Sequence, residues 1–415
     1  MRLTLSALGL AILSCATGTA GAQQADTALP QQQITIQPMT SVDVSSGKGY
    51  FQDPYPIHTT SPEASRGLPV FAGTNQKLLS CTGEIRPDCF AASPVKLDPG
   101  SFADKVTAAG AHLNNFENLN IFQDDTGAWQ MAVTAHLKKI GGTGSGWNVI
   151  LHAHPTSEGA GVPTAWQVDD VLVGGVEKPA PDNYDGKYFE DNGTLYLVYN
   201  RKIGEGQDAV VAQAMKSPSQ KAGVPPVPLL GPEMADGGYN SELAFGLNQP
   251  KTVQLIETGN ITKIDGKYVM TYSVGTYNRP DYKAGIAWSD HFLPTAGTYY
   301  RRVQMPDKAG IWGQINHPEV KYLLQAQKPA WPNYVGQQVL APGVPAIIRT
   351  ADQQYYLTFA GYDPSDAPTD EKHLYKGAHR RPYYVRLKVD VPAGKTVDGA
   401  SAAELARWVE PARGI

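Results

Sequence analysis

Asp191-Asn192-Gly193-Thr194-Leu195-Tyr196-Leu197-Val198-Tyr199 is a turn followed by an aromatic and aliphatic strand. The same arrangement, an acidic or glycine turn and then such a strand, returns at Asp125-Thr126-Gly127-Ala128-Trp129-Gln130-Met131, at Asp265-Gly266-Lys267-Tyr268-Val269-Met270-Thr271-Tyr272 and at Asp352-Gln353-Gln354-Tyr355-Tyr356-Leu357-Thr358-Phe359. Gly67-Leu68-Pro69-Val70-Phe71-Ala72-Gly73 is a weaker fifth copy. A further strand is predicted after each of the four stronger copies, over 147–154, 208–215, 283–290 and 382–390. A turn-strand-loop-strand unit repeated five times describes propeller blades, because each small sheet buries its faces only against its neighbours. A β-sandwich with long loops is the alternative, and it leaves the fivefold recurrence without a cause. The expectation is an all-β chain forming a single five-bladed β-propeller domain over residues 47–390. A Gln-rich leader, 23–46, precedes it, and a short tail, 391–415, follows. Helical periodicity is confined to 101–113 and 401–409.

Met1-Arg2, an apolar run from Leu3 to Leu13 and small residues ending in Ala20-Gly21-Ala22 read as a secretory signal peptide, residues 1–22. The run is too short to span a bilayer, and no later stretch qualifies. Cys15 follows Ile12-Leu13-Ser14, a poor lipidation motif because Leu13 is bulky, so a periplasmic or secreted protein is expected ahead of a lipoprotein. Cys81 and Cys89 are then the only mature cysteines, and an oxidising compartment lets them close a short loop. A net charge of -4 with interspersed signs excludes an electrostatic nucleic-acid binder. Low charge together with 21 tyrosines suits neutral, hydroxyl-rich ligands.

A glycosidic bond is cut most readily by two carboxyl groups, one protonated to help the leaving oxygen and one ionised to activate water or attack carbon. A third carboxylate tunes their protonation. Three acids precede the repeated hairpins: Asp53 in Phe51-Gln52-Asp53-Pro54, Asp185 in Tyr184-Asp185-Gly186, and Glu257 in Ile256-Glu257-Thr258-Gly259. Asp-Pro and Asp-Gly are also ordinary turn formers. Glu257 stands inside a strand pattern where an apolar residue is expected, and a buried Glu needs a reason.

At these residues the chain resembles the five-bladed propeller enzymes of glycoside hydrolase family 43, which cleave arabinose- and xylose-containing glycans. Asp53-Pro54 is similar to the Asp-Pro carrying that family's general base, Glu257 through Tyr268 to its acid segment, and Tyr282 to Asp290 to the strand that continues it. Asp185 resembles the pKa-modulating Asp, with Asp182 as the alternative. The resemblance implies an inverting mechanism, with carboxyls roughly 6.5 to 9.5 Å apart; a separation near 5 Å would match retaining, sucrose-acting propellers instead. Thr258-Gly259 stands where the family has Gly-Pro, Phe116-Glu117-Asn118-Leu119 where it has Trp-Ala-Pro-Asp, and Val344 where a His often helps hold a central metal. No cofactor or metal is therefore assigned, a structural calcium included.

Tyr277, Trp312 and Trp331 are candidate substrate-binding rings for stacking on sugar faces. Trp312, Trp331 and Tyr334 lie in the long connection before the fifth blade, where anchoring the loop to the rim is an equal use. His152 and His154 share a strand face, read as a polar face ahead of a metal site. The expected partner is an oligosaccharide or polysaccharide, with no nucleic acid and no membrane beyond the signal peptide. Two other readings stay open: a carbohydrate-binding propeller without catalysis, and a phosphorylase using Arg279, Arg302, Arg380 and Arg381.

Overall fold

A computed structural model describes residues 33–39, 51–59, 70–81, 84–144, 146–157, 161–177, 181–204, 207–231, 243–245, 252–280, 282–305, 320–327, 329–365 and 379–414. The signal segment 1–22, Cys15 and Trp312 lie outside these residues. Among the described residues no helix is long and apolar enough to cross a membrane.

Thr194–Gly204 pairs antiparallel with Asn183–Asp191 on one side and with Gln207–Ser217 on the other. It is joined to the first by a two-residue turn in which Asn192 and Gly193 have φ of 49° and 75°. Positive φ at both central residues is what a tight hairpin with the right twist requires. Asp265 and Gly266, at 47° and 77°, repeat the device one blade later. Along this strand alternate side chains part company. Leu197 and Tyr199 enter a cluster with Ile150 and Leu172 of the preceding blade, and Val198 enters one with Ile256 and Met270 of the following blade. A strand apolar on both faces is a strand sandwiched between two sheets.

Five sheets result, built on inner strands Tyr55–Pro56, Ala111–Gln123, Asn183–Asp191, Ile256–Ile264 and Leu340–Arg349. Each junction between consecutive sheets carries its own apolar cluster. The fifth cluster joins Phe51, Phe71 and Leu79 of blade one to Ile348 and Tyr384 of blade five, which closes the ring. The third strands fall where expected, at Trp147–Pro155, Gln207–Ser217, Lys283–Ser289 and Arg381–Val389.

Blade five takes its outer edge from both ends of the described chain. Gln37–Pro38 and Val409–Pro411 both pair with Arg381–Val389. The helix Ala402–Trp408 packs Leu405 and Trp408 into the blade four to five cluster, with Trp408 edge-on to Trp288 at 5.2 Å. Ser401 caps it reciprocally with Glu404. The other helix, Ser101–Ala108, is shorter than the 101–113 periodicity predicts. Gly110, at φ 75°, turns the chain out of the helix, and Ala111 begins the inner strand of blade two. In blade one a disulfide joins Cys81 to Cys89, between the third and outer strands.

Candidate active site

One backbone feature recurs in every blade. Asp53, Asn118, Asp185, Thr258 and Val344 are non-glycine residues with φ between 50° and 57°. In blades two to five the hairpin register slips at this point, between 117 and 120, 184 and 187, 257 and 260, and 343 and 346. Each is a β-bulge, which re-aims a side chain that would otherwise follow the pleat. The left-handed region costs roughly 1–2 kcal/mol for a residue with a Cβ, and more for β-branched Thr258 and Val344. Such strain persists only where the surroundings enforce it. Here they do so through the preceding blade: Asp185 N–H donates to Thr134 Oγ1 (3.1 Å), Thr258 N–H to Asn200 Oδ1 (3.0 Å) and Val344 N–H to Ser273 Oγ (2.7 Å). Thr134, Asn200 and Ser273 are all buried on second strands.

These positions bring the three predicted carboxylates into one electrostatic cluster. Asp53 Oδ1 lies 2.8 Å from Arg380 Nη1, and its Oδ2 accepts from the Thr74 hydroxyl at 2.9 Å. Asp185 Oδ1 accepts from the Asn118 amide and stands 3.3 Å from the Tyr55 hydroxyl. Asn118 Oδ1 in turn lies 2.8 Å from Thr74 Oγ1 and 3.1 Å from Tyr55 Oη, so Asn118 and Thr74 link Asp53 to Asp185. Glu257, one residue ahead of left-handed Thr258, is half-buried. Its Oε1 accepts from Tyr282 Oη at 2.6 Å, and its Oε2 is 3.3 Å from Tyr184 Oη.

Charge sorts these groups. Burial, reinforced by the Asp185 charge, pushes the Glu257 carboxyl up to about 8, against the Tyr282 hydrogen bond. Burial raises Asp185 to about 6, with the Lys187 ammonium opposing. Lys187 is itself buried, its Nζ 3.1 Å from the Asp185 carbonyl oxygen and 4.9 Å from the Tyr55 ring centre. Arg380, 3% exposed, stacks on the Tyr282 ring at 5.2 Å and remains a cation. A buried guanidinium thus accompanies Asp53, and a lysine whose proton affinity is lowered by its burial lies beside Asp185, while Glu257 is met by two phenols. The group that holds a proton near neutral pH is Glu257.

This level of the ring does not suit a metal ion. The fifth-blade position is Val344, and a buried ammonium already lies against Asp185. His152 and His154 are each 2.6 Å from Asp169 through Nδ1, so a carboxylate joins the two imidazoles on the outer part of blade two. Asp182 Oδ1 accepts from Asn148 N–H at 2.8 Å, tying blade three to blade two; of Asp182 and Asp185, it is Asp185 whose charge acts on Glu257. Of the arginines weighed for phosphate, Arg380 is paired with Asp53, Arg381 with Asp363, and Arg302 donates to the Gly231 carbonyl. Tyr277 is 53% exposed in the turn after Lys267–Val274, and Trp331 is half-buried.

Sequence reasoning missed Lys187, Tyr184, Asn118 and Asp208. Lys187 and Asn118 stand on inner strands that carry several other polar residues, so nothing in the pattern singles them out, and Asp208 begins a predicted strand and reads as a turn acid.

No family model matches the sequence, and no curated protein matches it. Among solved structures, the chain is similar to a thermostable family-43 glycoside hydrolase, at 16% identity over 88% of this chain and 94% of that one, with a TM-score of 0.50. It is likewise similar to the alpha-L-arabinofuranosidase from Lactobacillus brevis, at 15% identity over 82% and 91% of the two chains, with a TM-score of 0.51. The chain has the five-bladed propeller fold of these two enzymes. At such identities the fold is what is shared, and the chemistry of this propeller rests on its own residues.

Proposed function

We propose that this propeller is an exported glycoside hydrolase acting on arabinose- or xylose-type glycans by single-displacement inversion. Glu257 gives its carboxyl proton to the glycosidic oxygen as the bond to the anomeric carbon breaks. Asp53, paired as a carboxylate with Arg380, takes a proton from the water whose oxygen bonds to that carbon from the opposite face. Asp185 raises the proton affinity of Glu257 by its charge. The observation that carries the reading is the asymmetry of protonation: a carboxyl held at about 8 in the same cluster as a carboxylate clamped by a guanidinium. One protonated and one ionised acid is what cleavage of an acetal demands. The sugar class is suggested by the arabinofuranosidase among the fold relatives and by the resemblance at Asp53, Asp185 and Glu257.

Proton NMR of the first-formed sugar, during hydrolysis of 4-nitrophenyl α-L-arabinofuranoside, β-D-xyloside and the corresponding polysaccharides, tests this. The expected product has the anomeric configuration opposite to the substrate's. Retention would reassign Asp53 as a nucleophile, and saturable glycan binding without turnover would leave a carbohydrate-binding propeller.

A further inference from the structure

Asp208 opens the strand Gln207–Ser217, opposite Lys202 in the register, and is 7% exposed. Its Oδ2 lies 3.3 Å from the Tyr184 hydroxyl, which lies 3.3 Å from Glu257 Oε2. Among the described residues its Oδ1 is buried without a hydrogen-bond partner. We infer that Asp208 is a fourth working carboxylate of this site, a positioning residue that shares a proton with Glu257 through the Tyr184 hydroxyl.

The geometry restricts the proton count. A phenol has one proton and donates to one acceptor at a time. With both carboxyls ionised, one of them is left facing the Tyr184 oxygen without a donor, inside a buried pocket where that costs free energy. With one proton added the chain closes: the protonated carboxyl donates to the Tyr184 oxygen, and Tyr184 donates to the other carboxylate. Two arrangements satisfy it. In one the proton rests on Asp208, in the other on Glu257. They interconvert when the Asp208 O–H bond breaks toward the Tyr184 oxygen while the Tyr184 proton passes to Glu257, so the phenol is neutral before and after. Ionisation of Tyr184 is opposed by its burial and by the neighbouring carboxylates. Burial also raises Asp208 to about 6, which places it as a proton holder within reach of neutral pH.

The groups facing the pair are known. Tyr184, Lys202 and Asp182 act on Asp208; Asp185, Tyr282, Arg380 and Asp208 act on Glu257, and Lys187 senses the Glu257 charge. Asp208 stands between the inner cluster and exposed Lys202 at the blade surface. The catalytic consequence rests on the hydrolase reading: once Glu257 has given its proton to the leaving group both carboxyls are ionised, and a proton that Asp208 takes up from water passes through the Tyr184 hydroxyl to Glu257 for the next turnover.

Infrared difference titration of the unliganded protein, with the Glu257 band assigned by Glu257→Gln, tests the shared proton without any substrate. In Asp208→Asn, loss of the neighbouring charge is expected to lower the Glu257 midpoint by roughly half to one pH unit. Tyr184→Phe keeps the charge but removes the bridge, and is expected to reduce kcat on substrates with poor leaving groups more than kcat/KM. An unchanged Glu257 midpoint in Asp208→Asn overturns the inference. A shifted midpoint in a protein that hydrolyses no glycan keeps the shared proton and removes the hydrolase reading.

Discussion

Gly343 leaves the space that the Tyr282 ring fills: a Cβ at position 343 would stand 1.9 Å from Tyr282 Cε1. Tyr282 is the phenol that donates to Glu257 Oε1, so blade five sets the geometry of an acid carried by blade four. Ring carbons of a buried side chain cannot yield that distance without moving the whole ring. Gly343→Ala is therefore expected to displace Tyr282 and lower kcat/KM on natural glycans about 10- to 100-fold. A double-mutant cycle with Tyr282→Phe checks the route. If the glycine acts through the ring, adding Gly343→Ala to Tyr282→Phe costs less than it does in the wild type.

Tyr282→Phe alone keeps the ring against Gly343 and under Arg380 but removes a donor that favours the ionised form of Glu257. The carboxyl then holds its proton to higher pH. The alkaline limb of the kcat/KM profile is expected to move upward by roughly one unit, the scale of one hydrogen bond to a charged group. A downward shift would mean that Tyr282 does not donate to Glu257.

The propeller was legible because its repeat is chemical as well as geometric. Asn192-Gly193 and Asp265-Gly266 announce their hairpins, and Leu197, Val198 and Tyr199 announce a strand buried on both faces. Asp53, Asp185 and Glu257 were legible as acids ahead of those hairpins, and the fold brings them into one cluster. What sequence hides is whatever depends on a neighbouring blade. Arg380 lies more than 300 positions from Asp53, and its pairing arises only when the ring closes. Lys187 reads as an exposed lysine until the bulge at Asp185 turns it inward. The shortened first helix is of another kind: its apolar period continues past Gly110, but that residue's positive φ ends it.

The site should weaken the fold at high pH. An unfolded Glu ionises near its ordinary value, whereas folded Glu257 keeps its proton to about 8. Between those values the folded state binds more protons than the unfolded one, so stability is full below the unfolded pKa and declines as pH rises through the folded one. Asp185 and Asp208, each raised to about 6, add declines of the same sign at lower pH. Glu257→Gln removes the largest of these and is expected to raise Tm relative to wild type at pH 9, by an amount equivalent to a few kcal/mol at most. At pH 4, where both states hold the proton, the difference should vanish. Calorimetry at the two pH values decides it.

Cys81 and Cys89 close a loop with a sequence separation of 8 in blade one. Chain-entropy arguments give a loop of this size about 2.5 kcal/mol. Replacing both cysteines by Ala should lower Tm by a few degrees and leave kcat unchanged. A loss of activity at temperatures well below the new Tm would tie blade one's outer hairpin to the site.

The division of labour proposed for Asp53 and Glu257 predicts opposite dependences on the leaving group. Glu257→Gln removes the proton needed by a sugar alkoxide, which departs poorly without it. Loss of general-acid help is expected to cost about 100- to 10,000-fold on natural glycans. An activated aryl group departs as a stable phenolate, so the same substitution should cost far less there. Asp53→Asn removes the base, and water must be activated whatever departs, so both substrate kinds should lose a comparable factor. The Asn side chain also leaves Arg380 buried beside a neutral partner, so Tm must be measured alongside to separate lost chemistry from lost structure. A plot of log kcat/KM against leaving-group pKa for the two variants reads the assignment directly. Relative to wild type, the slope should steepen in Glu257→Gln and stay unchanged in Asp53→Asn; the reverse pattern would exchange the two roles.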